Sequence, residues 1–337
     1  MKKTASIALL LFNFCAAIHA DAQTKTGIHL LHTDKIYSDG GWDYLLADHA
    51  QQKLYVSHGT QVNVLNEKTG DSIGIITNTI GVHGILVLND LKKGYTTNGK
   101  TGDLTVFNIN TNAAIKKIKA GENPDAIFYD EFSRKIYVCN GRSLDISVID
   151  PATDMVIATI ALGGKPETAV SDGKGKIFVN LEDKNEVLSI DARTFKVLQR
   201  FKLEGGEEPS GLAIDRSTSR LFVGCGNKVL LVLDAHTGKK ISILPIGDGC
   251  DGVAFDPSLK LAYSSNGDGT LTVIKEISAN KFTVLENIKT ARGARTIALD
   301  YTTHHIFLPT ADFKSAVTEG KHQERIPGTF RVLEYGQ

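Results

Sequence analysis

This chain has no surplus of charge, and that absence removes a first class of protein. Lys plus Arg and Asp plus Glu number 38 each, so the formal net charge is zero. Near-neutral charge without a basic stripe argues against strong nonspecific binding to nucleic acid. Long apolar runs are missing after the N-terminal segment, which excludes a helical membrane span there. Only four cysteines occur, too few for a disulfide framework. No stretch keeps an amphipathic 3.6-residue period over helical length, so solenoids of stacked helices are excluded. The G-x-S-x-G elbow, G-x-G-x-x-G, the P-loop and H-E-x-x-H are absent, so no common motif marks a nucleophile, a dinucleotide, a nucleotide phosphate or a protease zinc.

The N-terminal segment MKKTASIALLLFNFCAAIHADAQ has two lysines, a short apolar stretch and the small-x-small sequence Ala20-Asp21-Ala22. It reads as a cleavable signal peptide over residues 1–22, and the protein is expected to be periplasmic or secreted. Phe14 before Cys15 argues against a lipoprotein. Cleavage removes Lys2, Lys3, Asp21 and Cys15, leaving a mature chain near −1 with Cys139, Cys225 and Cys250. At most one bridge forms among three thiols. Cys225 closes one strand and Cys250 opens another at the same face, so a bridge between them is open.

What the chain has in abundance is one recurring hairpin. KIYVCNGRSLDISVI from Lys135 is echoed by KLYVSHGTQVNVL from Lys53, KGYTTNGKTGDLTVF from Lys93, KIFVNLEDKNEVLSI from Lys176, RLFVGCGNKVLLVL from Arg220 and KLAYSSNGDGTLTVI from Lys260. Seven units start near Gly41, Val82, Pro124, Pro166, Pro209, Cys250 and Gly293. Each holds an opening strand, the hairpin and a last apolar run. Four short strands every forty-odd residues predict a seven-bladed β-propeller over residues 23–337. Asp-x-x-Thr after the third strand, as at Asp150, Asp191 and Asp234, suits an Asx turn. The last unit lacks a fourth strand, and GIHLLHTDKI is expected to supply it and close the ring.

The tetrapeptides YTTN (Tyr95–Asn98), YVCN (Tyr137–Asn140) and YSSN (Tyr263–Asn266) resemble the repeat of the exported YVTN-repeat, or YncE-like, β-propeller family. YVSH, FVNL, FVGC and FLPT fill the same slot with departures. The resemblance spans the mature chain and implies the propeller fold. It implies little about function, because suggested roles include binding macromolecules, single-stranded DNA among them; nucleic acid as a partner enters on that resemblance alone. Fold does not carry function.

In a propeller the first strand of each blade lines the central channel. One residue per blade at the channel mouth gives Asp43, His83, Asp125, Glu167, Ser210, Asp251 and Arg295, with Trp42, Glu207, Glu208 and Arg292 nearby in sequence. A second ring from the tetrapeptide slot gives His58, Asn98, Asn140, Asn180, Cys225, Asn266 and Thr310. The ligand-binding candidates are Asp43, His83, Asp125, Glu167, Asp251, Arg295, His58, Asn98, Asn140 and Asn266. The competing reading is architectural: Asp, Glu and Asn also cap strand ends and satisfy loop amides.

Oxygen ligands from Asp43, Asp125, Glu167 and Asp251 would suit Ca²⁺, and His83 with His58 would suit a transition metal. NGDGT (266–270) lacks the spacing of a calcium loop and reads as a turn. The His304-His305 pair is expected in solvent on the opposite face. Residues 311–328 form a loop out of pattern, carrying Lys314, Lys321, His322 and Arg325, and could cover the mouth or dock a partner. The sequence favours a non-catalytic binding or scaffold protein, engaging a small ligand or a protein at the mouth and stable as a monomer. A metal-assisted hydrolase, lactonase or redox enzyme at the same mouth is the alternative.

Overall fold

The computed structural model describes residues 25–38, 40–314 and 324–337. Among these residues the strands form seven separate four-stranded antiparallel sheets, the blades of an all-β propeller. The first strands are Trp42–Asp48, Val82–Leu88, Pro124–Asp130, Pro166–Ser171, Pro209–Asp215, Cys250–Asp256 and the short Ala298–Leu299. Blade three shows the pattern: Pro124–Asp130, Lys135–Asn140, Asp145–Asp150 and Met155–Ala161 pair in chain order. The seventh blade takes its fourth strand from the other end of the chain. His29–Lys35 pairs antiparallel with Arg331–Gly336, closing the ring as the sequence led one to expect.

Burial explains why the second and third strands read as nearly unbroken apolar runs. A blade is covered on both faces by its neighbours, so the usual in-out alternation is lost. Seven apolar clusters result, each straddling one pair of adjacent blades. The first letter of the tetrapeptide slot is always aromatic and fully buried: Tyr55, Tyr95, Tyr137, Phe178, Phe222, Tyr263 and Phe307. Some of the hydroxyls reach the next blade, Tyr95 donating to Asp154 at 2.7 Å and Tyr137 to the Ala192 carbonyl at 3.3 Å. The outer strands instead expose alternate apolar residues such as Met155, Ile157 and Leu198.

The turns follow their side chains. Asp191 accepts from the backbone N–H of Arg193 and Thr194, both at 2.8 Å, and Asp234 from those of His236 and Thr237, both at 3.0 Å. These are the expected Asx turns. Gly224 departs from the tetrapeptide pattern for a packing reason. A Cβ there would sit 2.4 Å from the Cys250 sulfur, so the next blade's thiol occupies the space. No helix among the described residues is long and apolar enough to cross a membrane.

Candidate site at the channel mouth

The first strands of blades one to six each carry a register shift at the mouth end, between Trp42 and Leu45 in blade one and between Pro124 and Ile127 in blade three. Such bulges re-aim side chains. Here they fall at the second residue of each strand, the position of Asp43, His83, Asp125, Glu167, Ser210 and Asp251. Third-slot side chains then clamp neighbouring backbones: Thr97 donates to the Asp125 carbonyl at 2.6 Å, and Ser265 to that of Arg295. Thr296 donates to the Asp43 carbonyl at 2.6 Å across the closing seam.

The ring is built of charge pairs. His83 Nδ1 lies 2.6 Å from Asp43 Oδ2 and 3.8 Å from Asp125 Oδ1. Arg295 Nε donates to Asp251 Oδ2 at 2.6 Å, and Ser210 donates to the other Asp251 oxygen at 2.6 Å. Lys165 lies 2.7 Å from Glu167 Oε1 and also contacts Glu182. Asp125 is the exception: its Oδ1 is buried and makes no hydrogen bond.

The electrostatics follow from this partial neutralisation. Burial, then the charge of Asp43, pushes Asp125 up to about 7, against the opposing pull of His83. Burial and then Asp125 push Glu167 up to about 8, with Lys165 opposing. Burial works against a charged His83, yet the hydrogen bond to Asp43 and the fields of Asp125, Asp43 and Glu167 outweigh it and hold it up to about 9. Tyr44 stands among these groups and was not singled out from the sequence. Burial lifts its phenol well above the usual range, followed by the fields of Asp125, Asp43, Glu167 and Asp251. Lys165, one residue before the strand, was likewise missed; its place in GGKPE was the only signal.

The second expected ring does not open into the mouth. Asn98 is fully buried and donates to Asp103 at 2.7 Å and Thr105 at 2.9 Å; Asn140 does the same to Asp145 and Ser147. Asn266 donates to Thr270 and Thr272. Each amide ties its second strand to its own third strand. His58 is buried, stacks on Phe330 with centroids 3.9 Å apart, and contacts Ser38 through Nδ1 at 2.7 Å, so it is not paired with His83. In blade four the slot belongs to Leu181, which pairs with Pro166. Asn180, one residue earlier, donates across to the carbonyls of Ser210 and Gly211 in blade five.

Cys139, Cys225 and Cys250 are free, buried thiols. Burial pushes Cys225 and Cys250 up to about 12 and also raises Cys139 well above the usual thiol range. His304 and His305 are not free in solvent, being paired with Asp256 and Glu334 at 2.6 Å each. Of the 311–328 loop, residues 315–323, including Lys321 and His322, lie outside the described residues. Its base is anchored over blade one: Phe313 meets Trp42 edge-on, and Arg325 lies 5.4 Å above the Trp42 ring.

The channel continues beyond the ring. A cavity of about 240 Å³ lies beside Tyr44, Thr168, Asp251 and Thr296. Leu45, Leu46, Ala169, Val253 and Ile297 also line a second cavity of about 860 Å³, which widens toward the opposite face. The walls of this funnel are half-buried apolar side chains, among them Phe128, Val170, Ile214 and Ala254. Its rim is polar, with Arg216, Asp300 and Tyr301. Sequence reading placed the recognition surface at the mouth alone and did not foresee this larger opening.

No protein-family model matches the chain, and no curated protein matches it. Among solved structures it is similar to the Kuenenia stuttgartiensis hydrazine synthase, at 16% identity and a TM-score of 0.71, over 81% of this chain and 94% of that one. At that identity the likeness is one of fold. The chain is a seven-bladed β-propeller with a ring of titratable groups at one end of its channel and an apolar funnel at the other.

Proposed function

We propose that this is an exported, YncE-like binding propeller whose channel mouth holds a small ligand bearing a positive charge. The supporting observation is the Asp125 carboxylate. Its neighbours Asp43, Asp251 and Glu167 each face a cationic partner in His83, Arg295 and Lys165, while Asp125 Oδ1 is buried without a hydrogen bond. A buried carboxylate in that state costs stability, which a bound cation would restore. The YncE-like assignment rests on YTTN, YVCN and YSSN, and export on residues 1–22, which lie outside the described residues; sequencing the N-terminus of the exported protein should begin at Gln23. The high thiol pKa values argue against a cysteine nucleophile.

A thermal-shift screen of metabolites, followed by calorimetry on Asp125→Asn, tests the reading. The variant should keep its fold and lose the ligand found. Unchanged affinity together with a destabilised fold would make the mouth architecture and not a site.

A second reading has its own observation: ligand atoms of Asp43, His83 and Asp125 all lie within 4.8 Å of one another. One imidazole with two carboxylates suits a transition ion better than Ca²⁺, and it would be the basis of a metal-assisted hydrolase or redox enzyme. Metal analysis after chelator-free purification decides it, since stoichiometric metal lost in His83→Ala would displace the first reading.

A further inference from the structure

We infer that the channel takes an amphipathic organic cation, with its ammonium head at Asp125 and Tyr44 and its apolar body in the funnel that opens on the opposite face. This rests on the mouth reading and adds the ligand's second half and its route of entry.

Three observations converge on it. First, the cavities of about 240 and 860 Å³ share five wall residues, so the inner cavity, lined by Tyr44 and Asp251, and the funnel belong to one channel. Together they have the size of ordinary small-molecule sites, which are mostly apolar with a few placed polar groups. Second, the channel wall is mostly apolar with a few polar groups: Phe128, Val170, Ile214 and Ala254 line its wide part, and Tyr44, Thr168 and Asp251 stand among Leu45, Ile85 and Ile127 in the inner cavity. Third, carboxylates outnumber cations around the ring: Arg295, His83 and Lys165 face Asp43, Asp125, Glu167, Asp251 and Glu182. The nearest cation to Asp125 is His83, 3.8 Å away and shared with Asp43. A cation reduces that excess, and Tyr44, which lines the inner cavity, stands among these carboxylates. A small hydrophilic cation would leave the apolar wall wet; an apolar molecule without a charge would leave that excess in place.

The rim supplies selection at entry. Arg216 Nε donates to the Ser171 carbonyl at 2.9 Å, and its guanidinium lies 3.2 Å from Glu131, so the opening is polar without a net attraction for anions. The body is therefore selected by the wall and the head by Asp125.

Calorimetry with 4-phenylbutylamine, 4-phenylbutan-1-ol and methylammonium tests the inference on the mature protein and on Asp125→Asn, Ala254→Phe and Val170→Phe, each first checked by its melting curve. The amine should bind at least tenfold more tightly than the alcohol, and Asp125→Asn should erase that preference. Either funnel variant that stays folded should weaken the amine at least tenfold. If the amine keeps its preference over the alcohol but neither funnel variant weakens it, the body lies elsewhere and the inference fails while the mouth reading survives. Methylammonium binding as tightly as the phenylbutyl amine has the same meaning. An alcohol that binds as well as the amine, indifferent to Asp125→Asn, overturns both.

Discussion

Two rings of polar residues stand one strand apart at the same end of this propeller, and they have opposite fates. The ring from the second position of each first strand is charged, half-buried and incompletely paired around Asp125. The ring from the end of each second strand, with Asn98, Asn140 and Asn266, is fully buried and bonded to the third strand. Buried polar groups with partners stabilise a fold, and each asparagine has them through its amide nitrogen although Asn140 Oδ1 has none; a buried carboxylate oxygen so placed costs more, and persists where something else needs it. The difference lies in direction: a bulge turns one set toward the channel, and a regular hairpin turns the other into the sheet.

The largest effect that would break this contrast is on the inner ring. Asn98→Ala and Asn140→Ala should each cost about 2–3 kcal/mol, measured by denaturant unfolding, with ligand affinity in the folded fraction unchanged. A loss under about 0.5 kcal/mol would make the two rings alike. Next comes Arg295→Met, which strips Asp251 of its cation. Arg295 is 37% exposed, so solvent screens the pair and the expected cost is only about 1 kcal/mol.

The ring's charge state gives a pH signature. Asp125 at about 7 and Glu167 at about 8 lie above their ordinary 3.8 and 4.5, and His83 at about 9 lies above 6.5. The folded state therefore holds protons that the unfolded chain releases. The stability they contribute is present at low pH and lost as pH rises, through about 4 to 8 for the carboxylates and 6.5 to 9 for His83. The groups facing Asp125 are Asp43 and Tyr44 from blade one, His83, Lys165 and Glu167, Asp251 and Arg295. Melting temperature should fall between pH 6 and 9, more steeply than in Asp125→Asn/Glu167→Gln. Parallel curves for the two proteins would remove the ring as the cause.

The smallest effect is the sharpest in sign. Asp125→Asn removes a buried carboxylate whose Oδ1 has no hydrogen bond and should raise the melting temperature by about 2 °C at pH 8, corresponding to roughly 1 kcal/mol or less. A drop of that size would place Asp125 with the asparagines.

Much of the frame was legible before any coordinates. The repeated tetrapeptides at Tyr95 and Tyr137 announced the blades, and Asp191 and Asp234 announced their own turns. The closing strand was legible as a missing fourth member. Within the mouth, the second-position residues could be named from the repeat alone. The asparagines could not be assigned, because period-two strands say which residues share a face and not whether a bulge has turned one of them out. Asn180 shows the cost of a one-residue slip: the slot is Leu181, and Asn180 points to the next blade.

The chain by itself determined the number of blades and the identity of the first ring, because these depend on local pattern repeated seven times. Tertiary structure alone decided who answers whom across the channel. Asp43 and His83, or Asp251 and Arg295, lie forty or more residues apart and meet only because adjacent first strands converge on one axis. The same convergence leaves Asp125 Oδ1 without a hydrogen bond and opens an apolar funnel behind it. Pairing and cavity shape are properties of the closed ring, and no single blade carries them.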